Sequence, residues 1–411
     1  MCPFTAYLHS PELLDAVRLK PNAFVRHRKL PFVRILSVLL SGLTASLQTW
    51  LNVFAAHLDN RADLWREVSA QAFSKARLKF SHRAFALLNA RLLDWAGQPL
   101  PGPRWHGFRR VAADASKLQL FLKDAAGRKV REAVAFALYL PGHELTLSFE
   151  PYSPAVGERQ MLFEPLKTLK RDDLLLLDRG YPAQWLIAVL YRLGIPFCLR
   201  VDATGFAQAK ALLRSGKSEA VVTIAPPSKR DAEDYECPRQ SHTVRLVRVV
   251  APDGKQHVLM TSLLDADAYP AAAFAGLYHT RWRIEEAFKR LKHRLKLEQL
   301  SGISWLAAQQ DFGVKVRCDN LKAVAVYAAD PAVHDPAGPN DSHYQPNRTY
   351  GFTLLKRYLP RWLLGKLPSL DDLLRVLAQL LKHRVRFVPD QSKPRPKRPK
   401  PHAYIPYKAI A

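Results

Sequence analysis

The sequence predicts an α/β protein, on three observations from the middle of the chain. The uninterrupted apolar run Leu174–Leu177 is typical of a strand that a sheet buries on both faces. The segments Val130–Leu140 and Leu145–Phe149 have strand-like composition and are separated by a Pro-Gly turn. A helical pattern, Ala183–Leu193, begins after Pro182. Strands that alternate with helices in this way indicate a sheet that contains parallel pairs.

The order of the elements narrows the prediction. Arg110–Asp114 is a short apolar run before the hairpin, Glu158–Leu169 has a helical pattern, and Ile195–Val201 is a last strand-like run. Three strands in a meander, followed by helix, strand, helix and strand, fit a ribonuclease-H-like core. We expect this catalytic core to comprise residues 104–202 and 266–330.

Between the two parts of the predicted core lies a segment, residues 203–265, that such a sheet does not need. It contains three strand-like runs, Ala220–Ile224, Thr243–Val250 and His257–Ser262, and a polar stretch, Pro226–Gln240. A β-rich insertion is the simplest prediction for this segment.

Residues 1–103 are patterned for helices, and a segment rich in proline and glycine, Gly97–Arg104, separates them from the core. The predicted helices are one at Leu13–Leu19, two within Phe32–Leu58, one that Ser69 caps, and one that Ser81 caps and that runs to Trp95.

This N-terminal region is a candidate DNA-binding region, because basic residues outnumber acidic ones 16 to 6 over residues 1–110. The two short helices on either side of Lys79–His82 resemble a helix-turn-helix reader of DNA. An ordinary basic helical bundle fits the same pattern equally well. If the region reads DNA, Lys75, Arg77 and Lys79 are the expected contacts.

The C-terminal third is predicted to be helical. Trp305–Val326 is a long helical pattern that would close over the core. Residues 331–390 begin with a polar, Pro-rich loop and contain two further helices, Phe352–Leu364 and Leu370–His383. The tail, residues 391–411, is basic and Pro-rich, and we expect it to be extended and to contact polyanions non-specifically.

The composition indicates a partner. A net charge of +26 and a pI near 10.1 are extreme for a globular chain of 411 residues. Such a field attracts polyanions, most often nucleic acid. An anionic membrane surface is the rival partner, but polar residues interrupt the apolar stretch Phe32–Leu58 too often for a membrane span.

The cysteines and the N-terminus indicate the compartment. The first residues lack the basic-then-apolar pattern of a secretory signal. The four cysteines are scattered without a CxxC pair, which is typical of free thiols in a reducing cytoplasm. Cys237 near His242 is a poor zinc signal, and no zinc site is expected there.

The segment Tyr278–Lys292 carries the most informative pattern. On a helix, Tyr278, Arg281, Glu285 and Lys292 fall within about 60° of one another. An apolar stripe that includes Ile284 lies beside them and would face a core. The arrangement suits a metal-binding acid among groups that bind phosphate. The alternative is an amphipathic helix with a solvated charged face, which is the commoner case for a basic helix.

Two further carboxylates make the functional interpretation stronger. Asp114 ends the predicted strand Arg110–Asp114, and Asp178 ends the apolar run Leu174–Leu177, where Gly180 lets the backbone turn. Carboxylates at adjacent strand ends, with Glu285 from a packed helix, can converge on hard cations such as Mg²⁺ or Mn²⁺. Two such ions about 4 Å apart activate a water or a 3′-hydroxyl in phosphodiester transfer. Each aspartate alone is more often a turn or cap residue.

Three motifs together resemble a known signature. They are Asp-Ala-Ser at Asp114, Asp-Arg-Gly-Tyr at Asp178 and the pattern Y-x2-R-x3-E-x6-K at Tyr278–Lys292. The combination resembles the signature of bacterial insertion-sequence transposases of the Asp-Asp-Glu class, specifically the insertion-sequence-four family. Gln71–Arg77 is similar to the N-terminal basic segment of that family. Looser similarities to its C-terminal blocks occur at Gln309–Phe312, at Asn320-Leu321 and at Tyr344–Arg348. The resemblance covers about residues 65–360.

The resemblance implies a role for each matching residue. Asp114, Asp178 and Glu285 would be catalytic and bind two Mg²⁺ or Mn²⁺ ions. The side chains that would hold DNA phosphates and support a hairpin intermediate are those of Tyr278, Arg281 and Lys292. Trp282 matches a position near a flipped base, where stacking offsets the cost of extrusion.

One departure from the family weakens the expectation of a hairpin. Relatives that form hairpins often carry another tryptophan in the insertion, and residues 203–265 contain none. The aromatic residues of that segment are Phe206 and Tyr235.

The sequence therefore predicts a transposase that binds transposon-end DNA, cleaves it and joins the 3′ ends to target DNA. It would act in the bacterial cytoplasm at the nucleoid, as a homodimer in the DNA complex and without a membrane partner. Two alternatives stay open: a metal-dependent nuclease on the same core, and a domesticated, non-catalytic DNA-binding protein.

Overall fold

A computed structural model describes residues 3–26, 29–41, 46–97, 102–124, 126–202, 205–251, 254–329, 344–365 and 369–386. The strands are β1 (Arg109–Lys123), β2 (Lys129–Leu140), β3 (Leu145–Tyr152), β4 (Asp173–Leu177), β5 (Phe197–Val201), β6 (Glu219–Ile224), β7 (His242–Val250), β8 (Gln256–Thr261), β9 (Tyr344–Pro346) and β10 (Arg384–Arg386). The helices are α1 (Pro3–Leu8), α2 (Pro11–Val17), α3 (Phe32–Leu40), α4 (Leu47–Leu58), α5 (Ala70–Arg77), α6 (Arg83–Gly97), α7 (Glu158–Phe163), α8 (Gln184–Leu193), α9 (Ala207–Ser215), α10 (Lys229–Asp234), α11 (Ala273–His279), α12 (Arg283–His293), α13 (Trp305–Ala329), α14 (Arg348–Leu363) and α15 (Leu370–Lys382).

The fold class is mixed α/β, as the sequence predicts. In the described residues, one sheet has the strand order β3-β2-β1-β4-β5-β8-β7-β6. β2 and β3 are antiparallel, whereas β1, β4 and β5 run parallel, with Val111 opposite Leu175 and Leu176 opposite Cys198. All five residues of β4 are buried, which explains its uninterrupted apolar composition.

The strands predicted for residues 203–265 form, but they extend the main sheet. β8 pairs with β5 in antiparallel fashion, with Leu199 opposite Met260, and β7 and β6 continue outward from it. The polar stretch predicted as a loop contains the short helix α10, which Ser228 caps through the backbone N–H of Asp231.

The described chain divides into two compact units. The first comprises described residues before 102, residues 117–133 and described residues after 288; the second comprises residues 102–116 and 134–288. The first unit contains an apolar core of helices α1–α6 and α13–α15, in which the rings of Phe32 and Phe80 meet edge to face at 5.3 Å. The second unit contains most of the eight-stranded sheet and a core around Leu174, Phe274 and Leu277.

The helix starts follow the capping signals in the sequence. Ser10 accepts the N–H of Leu13 ahead of α2, and Ser69 accepts the N–H of Ala72 ahead of α5. The apolar stretch Phe32–Leu58 is two helices, α3 and α4, as predicted. No helix in the described ranges is long and apolar enough to cross a membrane.

Three local expectations are wrong. The helix expected from Tyr278 onward is interrupted by a turn of 3₁₀ helix at Thr280–Trp282, and α12 ends at His293. Asp114 does not end its strand, because β1 continues to Lys123. Glu158–Leu169 is likewise two pieces, α7 and a 3₁₀ turn at Pro165–Thr168. The tail and most of the polar loop, residues 330–343, lie outside the described residues.

Candidate active site

The parallel pairing of β1 and β4 leads toward two carboxylates. The last paired residues are Ala112 and Leu176, two positions before Asp114 and Asp178. Asp178 follows the last residue of β4, whereas β1 continues beyond Asp114. The same register, continued by two residues, would bring the two acids level, as expected from the sequence.

The environment of Asp114 favours its protonated form. Burial raises the pKa of Asp114 to about 6, and the nearby carboxylates Glu285 and Glu158 add to this effect. The guanidinium of Arg281 and the backbone N–H of Ala115 act in the opposite direction. Asp114 thus lies in a concentration of negative charge that a bound cation would relieve.

Asp178 is held by Tyr278. The Tyr278 hydroxyl lies 3.2 Å from Asp178 Oδ1 and 3.3 Å from the carbonyl oxygen of Leu177. Only 8% of Tyr278 is exposed. Burial raises the pKa of this phenol well above its ordinary value, so it is a hydrogen-bond donor at every physiological pH.

Arg281 connects the acids. It is 2% exposed and donates to Glu285 Oε1 at 3.2 Å. Burial acts to lower the pKa of Arg281, but the charged or polar groups around it more than offset this: Tyr278, Asp178, Asp114 and Glu285. Its guanidinium carbon also lies 5.1 Å from the ring centre of Trp282. Arg281 is therefore a buried cation that all three predicted catalytic carboxylates stabilise.

The donor chemistry of the site suits a hard divalent ion, because the candidate ligands offer carboxylate oxygens. Asp114, Asp178 and Glu285 are the residues that would hold it. Among the side chains that the structure describes, no three Asp, Glu, His or Cys residues are grouped closely enough to hold one ion as they stand. With Arg281 among the acids, part of the positive charge that they require is already supplied by the protein.

Sequence reasoning missed two neighbours of this site. Glu158, the first residue of α7, acts electrostatically on both Asp114 and Asp178. Tyr181 is 1% exposed, and its hydroxyl has no hydrogen-bond partner in the described structure. The signals were present, since Glu158 opens a helix after the meander and Tyr181 closes the turn after Asp178.

Two other predicted DNA contacts lie at accessible positions. Trp282 is 48% exposed, in keeping with a side chain free to stack on a base. Lys292 is partly exposed, and its ammonium donates to the carbonyl oxygen of Lys117 at 2.5 Å. The aromatic residue Tyr235 is stacked on Trp185 at 3.6 Å, so its ring serves packing.

The three N-terminal candidates separate into two groups. Lys75 and Lys79 are exposed. Arg77 is buried at 2% exposure, and its guanidinium donates to four groups of the same unit: Gln310 Oε1, Ser301 Oγ, the Ala307 carbonyl and Asp311 Oδ1. Because these bonds use both terminal nitrogens and Nε, the structure does not present Arg77 to DNA.

Comparison with known proteins shows similarity to transposases. A family model described as transposase DDE domain matches residues 88–321. The putative transposase InsL of insertion sequence element IS186A and the transposase of element IS421, both from Escherichia coli, are each 43% identical to this chain over 56 residues. That stretch is 14% of this chain and 15% of each relative.

A solved structure of piggyBac transposase in a synaptic complex with hairpin DNA is also similar. The TM-score is 0.44 and the identity 11%, over 95% of this chain and 86% of that chain.

Proposed function

The chain belongs to the transposase DDE domain family, and from this premise we propose that it is a DNA transposase. It would bind the inverted-repeat ends of its own element, cleave them and join the freed 3′ ends to target DNA. The curated relatives match over only 15% of their length, so the proposal depends mainly on the family match and on the site.

The observation that carries the proposal is the convergence of Asp114, Asp178 and Glu285 on Arg281. The three acids come from the interior of β1, the end of β4 and helix α12, and up to 171 positions of sequence separate them. An arrangement that concentrates partly buried carboxylates is costly unless something compensates their charge. A divalent cation together with a DNA phosphate would do so.

We propose that Asp114, Asp178 and Glu285 hold two Mg²⁺ or Mn²⁺ ions. When bound, such ions stabilise the attacking and leaving oxygens of a phosphodiester. The protein contributes positioning: Tyr278 orients Asp178, and Arg281 orients Glu285. The net charge of +26 would attract DNA to the protein.

For DNA contacts we propose Lys292, Lys75, Lys79 and Trp282, all of which are at least partly exposed. The hydrogen bonds of Tyr278 to Asp178 and of Arg281 to Glu285 favour a role in aligning these carboxylates. We propose that Tyr278 and Arg281 also contact the DNA phosphate that lies at the site. Cleavage of the second strand through a hairpin, with Trp282 stacked on a flipped base, is our proposal for the next step.

The finer identity is also a proposal. The Tyr278–Lys292 signature supports the insertion-sequence-four family. Two transposon ends in one complex would require a homodimer on DNA. Such a protein would act in the bacterial cytoplasm, at the nucleoid.

The test uses the DNA that flanks the coding region. Labelled duplexes that carry these flanks are incubated with the full chain, a supercoiled plasmid and Mg²⁺. We expect nicks at the element's ends and labelled strands joined to the plasmid, with Asp178→Asn reducing both by more than about 100-fold. Hydrolysis without joined product would indicate the nuclease alternative instead. Binding without any cleavage, unchanged in Asp178→Asn, would indicate a non-catalytic DNA-binding protein.

A further inference from the structure

Helix α7 begins against the turn that carries Asp178. The Arg159 guanidinium donates through Nε to the carbonyl oxygen of Gly180 at 3.0 Å, which fixes the start of the helix on this turn. A Cβ atom added at Gly180 would lie 3.9 Å from Glu158 Oε2. The hydrogen bond of Arg159, the next residue of the same helix, therefore keeps the Glu158 carboxylate beside the Asp178–Tyr181 turn.

The turn also buries a hydroxyl without a partner. The backbone N–H of Tyr181 donates to the Asp178 carbonyl at 3.1 Å, which closes the turn and directs the ring inward. The ring is 1% exposed, and its hydroxyl makes no hydrogen bond in the described structure. The charged groups that act on this hydroxyl are Glu158, Asp114, Asp178 and Arg281.

A buried hydroxyl without a hydrogen-bond partner destabilises the folded state. Its electrostatic neighbours are carboxylates, which accept hydrogen bonds, and one buried guanidinium, whose Nε also lacks a partner. The Tyr181 hydroxyl and Arg281 Nε, which both lack a hydrogen-bond partner, thus lie near the same acids, Asp114 and Asp178. A polar guest among the acids, such as a hydrated cation, would give each of them a partner.

We infer that Glu158 is a fourth carboxylate of the Asp114–Asp178–Glu285 site, and that with the Tyr181 hydroxyl it positions a hydrated divalent cation there. The inference rests on the proposed function, because it adds a residue to the same metal site. Glu158 is exposed, so its carboxylate is accessible to a metal-bound water as well as to the ion itself. Tyr181 acts as a positioning residue through the acids or their waters.

The experiment measures Mn²⁺ binding to the full chain by the electron paramagnetic resonance signal of free Mn²⁺, without DNA. We expect Glu158→Gln to raise the Kd about tenfold and Tyr181→Phe to raise it by a smaller factor. Glu164→Gln is the matched control for the first, because Glu164 is exposed and its carboxylate is paired with Lys167. Tyr191→Phe is the control for the second, since its hydroxyl donates to the Thr243 carbonyl.

Thermal unfolding separates a metal role from a structural one. Without metal, Glu158→Gln removes a negative charge next to Asp178, so its Tm is expected to rise, while its Tm gain on adding Mn²⁺ shrinks. A carboxylate that served only the fold would lower the metal-free Tm when lost. Glu158→Asp keeps the charge on a shorter side chain and is expected to fall between the wild type and Glu158→Gln in Mn²⁺ affinity.

Asp178→Asn distinguishes failure of the inference about Glu158 from failure of the proposed metal site itself. If Asp178→Asn loses Mn²⁺ binding and Glu158→Gln binds as Glu164→Gln does, the inference about Glu158 is overturned and the proposed metal site stands. If Asp178→Asn also binds Mn²⁺ as the wild type does, the metal site of the proposed function fails, and the inference fails with it.

Discussion

The hydroxyl of Tyr278 donates to Asp178 at 3.2 Å, across 100 positions of sequence. This bond links the segment that begins the Tyr278–Lys292 pattern to the end of a buried parallel strand. It also gives the tyrosine a role that its ring alone could not fill. A phenylalanine would fill the same space but would leave the carboxylate without its donor.

Tyr278→Phe is expected to impair cleavage more than folding. A hydrogen bond to a charged group contributes about 1.5–3 kcal/mol, so strand cleavage should fall by roughly 10- to 100-fold. Cleavage rate at saturating DNA and Mg²⁺ is the measurement. Tyr235→Phe, whose ring stays stacked on Trp185, is the control and should keep the wild-type rate. An unchanged rate in Tyr278→Phe would remove Tyr278 from the site.

Asp114 should make the metal-free protein less stable as the pH rises. Its folded-state pKa of about 6 lies above the ordinary value of 3.8, so the folded state binds more protons between these two values. The cost is absent below about pH 4 and complete above about pH 6, and it is on the order of 3 kcal/mol. Asp114→Asn is therefore expected to stabilise the chain at pH 7.5 and to have little effect at pH 4 in urea titrations without divalent ions.

Asp124 provides a control of opposite sign. Hydrogen bonds from the backbone and side chain of Arg128 hold its pKa below the ordinary value. Such a carboxylate contributes stability above its unfolded pKa that is lost as the pH falls through the folded one. Asp124→Asn should thus lower stability slightly at pH 7.5. If both variants shift stability in the same direction, the environment assigned to Asp114 is wrong.

Arg77 should matter for folding and not for direct DNA contact. Asp311, its ion-pair partner at 2.8 Å, is 4% exposed, so Arg77→Met would leave a buried carboxylate without its cation. Breaking a buried pair in this way typically costs about 3–5 kcal/mol. The free energy of unfolding in urea is the measurement, and Lys75→Met, at an exposed position of the same helix, should change it by less than about 0.5 kcal/mol.

Lys75 and Lys79 should act on DNA affinity through charge. If each neutralises one phosphate, the double substitution Lys75→Ala/Lys79→Ala reduces the slope of log K against log salt by about 1.8. Fluorescence anisotropy of labelled duplex at several salt concentrations measures this slope. Lys167→Ala, which removes an exposed lysine paired with Glu164, is the control. A slope equal to the wild type would exclude both lysines from the DNA-binding surface.

Trp282 should be dispensable for stability and necessary for a late step. Because 48% of the residue is exposed, Trp282→Ala should change the free energy of unfolding little. Base stacking on an aromatic ring is typically worth about 1–3 kcal/mol, so second-strand cleavage should slow by about 5- to 100-fold. First-strand nicking measured on the same gels serves as the internal control. Equal slowing of both steps would contradict a role in base stacking.

The local features of the fold could be predicted from the sequence. Ser69 before an apolar-periodic segment, the run Leu174–Leu177 and the Pro-Gly turn after Leu140 each act over a few residues, so the pattern carries the signal. The end of β1 was not predictable in this way. The segment after Asp114 mixes polar residues with Leu118, Leu120 and Leu122, and β1 continues through it to Lys123, beside β2 in the sheet.

The candidate site residues divide in a similar manner. Helical spacing along one segment singled out Tyr278, Arg281 and Glu285 as candidates. Glu158 and Tyr181 belong to no such repeat. A helix start and the turn after Asp178 are their local signals, but only the fold shows that both residues lie near the acids. Arg77 is the opposite case. The sequence predicts a DNA contact from its place in a basic helix, but the residue is buried by contacts with Gln310 and Asp311, more than 200 positions away.

The sequence by itself predicted the α/β class and most helix and strand positions, and it singled out three candidate carboxylates, since these depend on periodicity, capping and residue type. The tertiary structure decided which residues meet. The parallel pairing of β1 and β4 leads toward Asp114 and Asp178, and Arg281 is buried where these two acids and Glu285 act on it. Long-range pairing and desolvation produce both results, and neither leaves a local pattern in the chain.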